Sequence, residues 1–344
     1  MIHSLTFPQA VNLAMATEMK ADPSVFVFGV DVPDHKRTFG SGAGLLEKFG
    51  TRRFFGSPLS ESAATGIAVG AALAGLRPIH VHARSDFLLL AMNQLCNMAA
   101  IKSYVSNGTE SVPLTVRALI GRSWGQGPQH SKAMHGVLAH FPGLKVVLPS
   151  SPQEGYSLLR AAIRDPNPVI VFEHRWLYDV TGDVDDAQIG PLEGAKVVRE
   201  GRDVTLVGVS WMTVECLQAA TILARAGVSA EVVDVRAARP LDAETIRGSA
   251  GKTGYLVVAD NDWLWGGVSA EIVAQVVEGG VFLQGLVRLG FAPCPCPTTR
   301  VLEQLFYPSA REIVRSVERM LGRPAMDLSG DVFNAYGQKF KGPF

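Results

Sequence analysis

The chain has 344 residues, with 32 basic and 32 acidic side chains and a formal net charge of zero. That balance does not favour nucleic acid as a partner, since such proteins usually carry a basic excess. Hydrophobic residues at 47% and charged residues at 19% allow a large core and argue against disorder.

Four cysteines, Cys96, Cys216, Cys294 and Cys296, are scattered in apolar or proline-rich settings. They read as reduced thiols without a disulfide framework. The N-terminal stretch lacks the basic start and long apolar core of a signal peptide. The longest apolar run, Ala63 to Leu76, is about 14 residues, short of the roughly 20 that span a bilayer. A soluble cytoplasmic protein with no membrane contact is expected.

Phe7 to Met19 has helical spacing, and Ser24 to Val32 is an apolar, β-branched strand ending near Asp31. Pro33 to Gly44 reads as a polar, glycine-rich loop, and Leu45 to Phe49 as a short helix. Ser57 to Asn97 then holds one acid, Glu61, ahead of the run Ala63 to Gly75, built almost wholly of small residues. Gly66 and Gly70 lie four apart, on one helix face. Each costs about 1 kcal/mol of helix stability relative to alanine, so close approach of another helix or backbone is expected there. Pro78 to His82 reads as a strand, Leu88 to Tyr104 as a helix, and Pro113 to Leu119 as a strand. Gly121 to Pro128 is a glycine-rich loop leading to Gln129, His130 and a helix through Leu138. Leu144 to Leu148 is a strand. Ser151, Pro152 and Glu154 make a helix start, and that helix runs to Arg164. A turn, Asp165 to Pro168, precedes the strand Val169 to Glu173.

Thr181 to Glu193 is acidic and without periodicity, and reads as a linker. A second alternation follows, with strands at Asp203–Val209, Ala230–Asp234, Tyr255–Asp260 and Val287–Leu289. Its helices are Val214–Ala226, Leu241–Ser249, Gly267–Gly279 and Ala310–Leu321. Alternating strands and helices predict an α/β fold of two open, mainly parallel-sheet domains. The expected division is 1–180, a linker at 181–194, 195–322, and an extension at 323–344 that carries Phe333, Tyr336, Phe340 and Phe344.

Common catalytic motifs are missing: there is no phosphate-cradling G-x-x-x-x-G-K-[ST], no H-E-x-x-H and no paired C-x-x-C. The Gly-Ala-Gly at residues 42–44 follows a loop, not a strand, which argues against a dinucleotide site. His80 and His82 share a strand face as two metal ligands do, but no third ligand is evident. Cys294 and Cys296, set between prolines, read as a rigid loop. Glu61 has a bland reading as an exposed first-turn acid favoured by the helix dipole. Its neighbours Phe54, Phe55, Pro58 and Leu59 suggest instead a buried acid able to share a proton with a ligand nitrogen. His130 is placed either for acid–base work or for a backbone bond at a helix start.

The stretches SPLSESAATGIAVGAALAGLRPI, DFLLLAMNQLCNMAAIKSYVSNG, GPQHS and HFPGLKVVLPSSPQEGYSLLRAAIRDPNPVIVFE carry a resemblance, as do RPLDAETI and GGVSAEI more weakly. In this order, over about residues 5 to 320, the chain resembles the beta subunit of the decarboxylating first component of 2-oxoacid dehydrogenase complexes. That group belongs to the transketolase-like, thiamine-diphosphate-dependent superfamily. The resemblance implies a pyrimidine-binding domain followed by a transketolase C-terminal domain. It places Glu61 at N1′ of the aminopyrimidine, with Leu59 lining the pocket and Phe87 packing on the ring. Sharing a proton at N1′ favours the imino form that deprotonates the thiazolium. It places His130 near the thiazolium and a small 2-oxoacid substrate. Leu114, Ala162, Asp165 and Asn167 match a monovalent-cation (K+) site of some relatives.

The Gly-Asp-Gly motif and later asparagine that hold magnesium and diphosphate are not present; Gly182-Asp183 and Gly330-Asp331 are each followed by valine. The resemblance therefore implies an alpha subunit that supplies the Mg2+ ligands in an α2β2 heterotetramer, and a lipoyl-bearing acyltransferase as the acyl acceptor. Val30, Val81, His82, Arg84, Asn93 and the pair Ala118-Leu119 depart from the family pattern. Those departures motivate an alternative, a two-subunit synthase that performs carboligation without lipoyl transfer. A non-catalytic scaffold subunit is the alternative from another class.

Overall fold

The computed structural model describes residues 1–34, 38–121 and 125–333. Residues 35–37 of the first glycine-rich loop, residues 122–124 of the second, and Tyr336, Phe340 and Phe344 of the extension lie outside the described residues. In chain order the elements are β1 (Ile2–Thr6), α1 (Phe7–Ala21), β2 (Val25–Gly29), α2 (Leu45–Phe49), β3 (Phe54–Gly56), α3 (Glu61–Leu73), β4 (Arg77–His82), α4 (Lys102–Val105), β5 (Thr115–Ile120), α5 (His135–Ala139), β6 (Lys145–Val147), α6 (Pro152–Arg164), β7 (Val169–His174) and β8 (Thr181–Asp185). There follow β9 (Lys196–Arg199), β10 (Val204–Gly208), α7 (Trp211–Ala224), β11 (Ala230–Asp234), β12 (Ala237–Arg239), α8 (Ala243–Thr253), β13 (Tyr255–Trp263), α9 (Val268–Glu278), β14 (Gly285–Phe291), α10 (Arg300–Phe306) and α11 (Ala310–Met320).

The described residues form two compact units: 1–120 with 137–192, and 121–136 with 193–333. In the first, β6, β7, β5, β4, β2 and β3 lie side by side in that order, all parallel. Buried on both faces, these strands read as continuous apolar runs rather than alternations. In the second unit β14, β13, β10 and β11 are parallel, and β9 closes the edge antiparallel to β11.

Most predicted elements are present within a few residues of their expected bounds. Thr181–Asp185 is a difference: it forms β8, antiparallel to β1, from Ile2 opposite Asp185 to Thr6 opposite Thr181. A two-stranded ribbon buries little, so neither strand shows the apolar periodicity that would reveal it. The predicted helix Leu88 to Tyr104 is a second difference. It is a 3-10 turn at Ser85–Ala91, a π-helical segment at Asn93–Ala99, and only then the single α turn of α4. The extension folds back: Arg225 pairs with Asp331 at 2.6 Å, and Gln218 donates to the Val332 carbonyl.

The start of α6 follows from its sequence. The Ser151 hydroxyl accepts from the Glu154 N–H at 3.2 Å, and proline occupies the first turn where no intrahelical N–H bond is lost. Gly155 admits Phe7 of α1; a Cβ there would sit 2.8 Å from the Phe7 ring.

The first unit also encloses an ion pair. Arg117 on β5 donates through Nε and Nη2 to the two oxygens of Glu173 on β7, at 2.5 and 2.8 Å, and both side chains are fully buried. Tyr178 donates to Glu173 at 2.5 Å, and Arg117 donates to the Ser41 hydroxyl at 3.0 Å. Burial disfavours the guanidinium, but Glu173 outweighs it and holds Arg117 charged. Glu173→Ala leaves that guanidinium buried without its counter-ion, so the variant is expected to lose about 3–5 kcal/mol of stability. Urea denaturation followed by circular dichroism measures this.

Candidate functional site

The head of α3 carries Glu61. Ser60 precedes it and makes no side-chain cap bond, so the acid is the charged group nearest the helix N-terminus. Glu61 is half-buried and Leu59 is 80% exposed. The aromatic residues expected to bury the acid lie elsewhere. Phe54 is inside the core, while Phe55 stacks on Phe26 and Phe28 at centroid distances of 5.8 and 5.5 Å. Strand β3 alternates its side chains, and the sheet takes up their apolar surface. The fully enclosed acid expected from composition is not formed by this chain's own described residues.

One face of α3 is bare. Ile67 is 65% exposed, and beyond the helix Leu89, Leu90, Met98, Ile101 and Tyr104 are exposed too. A Cβ on Gly66 would meet only the Gln94 side chain, at 3.7 Å, and one on Gly70 would meet nothing within 4 Å. The glycines therefore do not serve close packing inside the chain beyond the Gln94 contact. Gln94, in the π-helical segment, also donates to Ser62 at 2.9 Å and so ties that segment to α3.

Behind the helix, His80 and His82 are buried and their rings meet edge to face at 4.4 Å. His80 stacks on Phe28 at 4.5 Å, and His82 Nε2 lies 3.5 Å from the Thr65 hydroxyl of α3. Burial lowers both: His80 to about 4, and His82, with His80 beside it, well below its ordinary value. Both rings are neutral at pH 7 and act as aromatic core, with no third metal ligand grouped with them among the described residues. Phe87 follows in the 3-10 turn, half-buried.

His130 belongs by its contacts to the second unit. It ends a short 3-10 turn, Gly127–Gln129, is half-buried, and donates its backbone N–H to the Gly127 carbonyl. The helix expected after His130 is only α5, beginning at His135.

His135 is a group that the sequence did not single out. Its Nε2 lies 3.0 and 3.1 Å from the two oxygens of Asp260 and 3.6 Å from Asp262 Oδ2. Burial opposes the imidazolium, but Asp260 and Asp262 prevail and carry His135 up to about 9. Burial raises Asp262 to about 6. The cluster thus supplies its own cation. Nothing in the spacing of one histidine and an aspartate 125 residues later could have signalled it.

At the predicted monovalent-cation turn, Lys145 Nζ sits 2.5 Å from Asp165 Oδ2, and the Asn167 N–H donates to Asp165 Oδ1 at 2.8 Å. The Leu114 carbonyl accepts from Val169 N–H, and the Asp165 carbonyl accepts from Arg77. Ala162 is buried in α6. The Asp165 carboxylate is already engaged by an ammonium and a backbone N–H, which leaves main-chain carbonyls and the Asn167 side-chain oxygen as donors for such an ion.

Residues 3–181 match the model of the transketolase pyrimidine-binding domain, and residues 193–313 that of the transketolase C-terminal domain. The chain is 40% identical over 322 residues to the mitochondrial pyruvate dehydrogenase E1 component subunit beta-2 of Oryza sativa subsp. japonica, covering 92% of this chain and 86% of the relative. It is 38% identical over 325 residues to the bovine (Bos taurus) mitochondrial E1 component subunit beta, covering 92% and 90%. The chain belongs to the E1 beta-subunit family. As such it is the beta subunit of a thiamine-diphosphate-dependent 2-oxoacid dehydrogenase. A solved "Split gene transketolase, inactive beta4 tetramer" matches with a TM-score of 0.78 at 21% identity, over 92% of this chain and 99% of that one, and shares the two-domain fold. The E1 relatives are mitochondrial by name, which lends no support to a cytoplasmic location for this member. No described helix is long and apolar enough to cross a membrane.

The buried histidines of this E1 beta subunit set an acid limit. An unfolded His80 takes its proton near 6.5, and the folded one not until about 4. Between these values the unfolded state binds the extra proton, so stability falls as pH drops. His80→Phe is expected to flatten the loss between pH 6.5 and 4, read as the change in urea midpoint at pH 7 and pH 5.

Proposed function

We propose that this E1 beta subunit forms half of a thiamine-diphosphate site and works with an alpha subunit in an α2β2 heterotetramer on a small 2-oxoacid. Pyruvate is the substrate named in the relatives. The observation that carries the proposal is Glu61: a half-buried carboxylate heading a helix with one bare face, with exposed Leu59 and half-buried Phe87 in the same unit.

These residues fit the aminopyrimidine end of the cofactor. Glu61 is the hydrogen-bonding partner for the ring nitrogen and holds the proton there. Leu59 and Phe87 offer apolar surface for the ring faces. When bound, thiamine diphosphate supplies the nucleophilic carbon and the electron sink that decarboxylation requires. A partner that covers Leu59 and the open face of α3 excludes water from Glu61 and strengthens its hydrogen bond. His130 is the second catalytic group, an acid–base residue near the substrate.

Magnesium and diphosphate do not fit this chain. Its His135–Asp260–Asp262 cluster is sealed and already holds a cation in the imidazolium, and the sequence lacks the diphosphate motif. Those ligands are assigned to the alpha subunit. A K+ ion at Leu114, Ala162, Asp165 and Asn167 would rest on main-chain carbonyls and the Asn167 side-chain oxygen. The acyl acceptor proposed is a lipoyl-bearing acyltransferase. The proposed domain limits are 1–180 and 195–322, joined by 181–194.

Two outcomes test this. Glu61→Gln, co-expressed with the alpha chain, is expected to assemble normally and to lose about 10²–10⁴-fold in kcat for 2-oxoacid oxidation. Retained turnover would exclude Glu61 from the site. Gly70→Leu sets its Cβ where nothing lies within 4 Å and gains roughly 1 kcal/mol in helix propensity. It is expected to stabilise the isolated beta chain while shifting the α2β2 complex to smaller species in gel filtration.

A further inference from the structure

The segment that carries His130 is held at both ends inside the second unit. At its start, Gly125 and Gly127 adopt φ values of +70° and +68°, the left-handed region that favours glycine. They lie against Thr298: a Cβ on Gly125 would come within 2.7 Å of its carbonyl oxygen, and one on Gly127 within 2.6 Å of its hydroxyl. The chain leading to Thr298 is tied to β13. Trp263 donates through Nε1 to the Cys294 carbonyl at 3.2 Å, and the Trp263 ring meets Phe291 at 5.5 Å. At the other end, His135 is fully buried and bonded to both oxygens of Asp260. Asp262 is held in turn by the Trp263 N–H at 2.8 Å, and Gly136 packs so tightly that a Cβ would be 2.9 Å from Asp262 Oδ2. Between the anchors Ser131, Ala133 and Met134 are buried, and Lys132 donates to the Pro128 carbonyl at 2.7 Å. His130 stays half-buried between these anchors.

We infer that the ion pair of His135 with Asp260 and Asp262 is a latch that positions His130, with the Thr298 cradle as its counterpart at the start of the segment. This rests on the reading of His130 as a catalytic residue. A segment pinned at one end only would let His130 wander, and a displacement of about 1 Å at a reacting group costs on the order of 10²-fold in rate. The chemistry of the latch suits the task. A buried imidazolium that faces two carboxylates through Nε2 has no solvent to substitute for a lost partner, so leaving this arrangement is costly. His135 is a positioning residue, acting through His130 and not on the substrate.

The test uses the assembled αβ complex and the variants His130→Ala, His135→Gln, Asp260→Asn and the double variant His130→Ala/His135→Gln. Amide hydrogen exchange across residues 127–134 is expected to speed up about tenfold or more in His135→Gln and Asp260→Asn, and to stay at the wild-type rate in His130→Ala. Unchanged exchange in both latch variants overturns the inference. In turnover, the double variant is expected to be no slower than His130→Ala alone, because the two act as one unit. Multiplying defects would mark His135 as merely structural and also overturn it. If His130→Ala turns over like wild type, the catalytic reading of His130 fails, and exchange alone decides whether the latch exists. Should His135→Gln not accumulate as folded complex, Asp262→Asn, which leaves the Asp260 bond in place, carries the same exchange test with a smaller expected rise.

Discussion

A carboxylate at the head of a helix made of small residues is the constraint on which the first unit depends. Alanine and glycine give α3 no bulk, so the helix cannot build an apolar stripe of its own size. It leans on the sheet through Ala64, Thr65, Ala68, Val69 and Ala72 and leaves Ile67 and Gly70 uncovered. Two helical glycines and an exposed isoleucine leave that face open in the chain by itself. Glu61 stands at the head of the same helix, half-buried, so the chain's own described residues give it only part of an enclosure.

Charge inside the two units is handled in two ways. Arg117 with Glu173, and His135 with Asp260, are ion pairs sealed from water. Each joins elements distant in sequence, 56 residues apart in the first case and 125 in the second. Such pairs add little net stability against apolar substitutes, but removing one partner strands a buried charge, which is strongly destabilising. His80 and His82 follow the opposite course. Among the described residues no carboxylate pairs with them, burial keeps them neutral, and their rings serve as aromatic packing against Phe28. The same residue type is thus a cation at one site and a hydrophobe at another, decided by whether an acid shares the cavity.

Much of the fold was legible because parallel strands and amphipathic helices leave strong local marks. Ala230–Asp234 and the Ser151-capped helix were readable to the residue from apolar runs and from a cap with proline behind it. Edge elements left no such mark. Strands β1 and β8 bury one face at most, and β9 lies at a sheet margin, so their sequences show no strand pattern. The π-helical segment Asn93–Ala99 keeps helical spacing in sequence, and nothing local separates it from an α-helix. At the site, Glu61 stood out as a lone acid before an apolar run, but its surroundings did not: composition suggested burial among Phe54 and Phe55, which the sheet claims instead. His135 was illegible for a different reason. Long-range pairing of charges has no periodicity, and only the folded chain brings Asp260 and Asp262 to it.

The placement of residues 121–136 sharpens what a domain boundary means in this protein. In sequence they fall between β5 and β6, strands of the first sheet, yet they group with the second unit. A β5-to-β6 connection is free to leave its own unit because the sheet is satisfied on either side of it: β5 pairs with β4 and β7, and β6 with β7. Glycines at 125 and 127 provide left-handed turns, and removing side chains there allows contact with Thr298 that any larger residue would forbid. His130 is therefore carried by the β5-to-β6 connection and held by groups of the second unit. Glu61 and Phe87 depend on the first unit, and His130 on the second. A chain built this way supports Glu61 and His130 through separate sets of contacts, so the surroundings of one can change without disturbing those of the other.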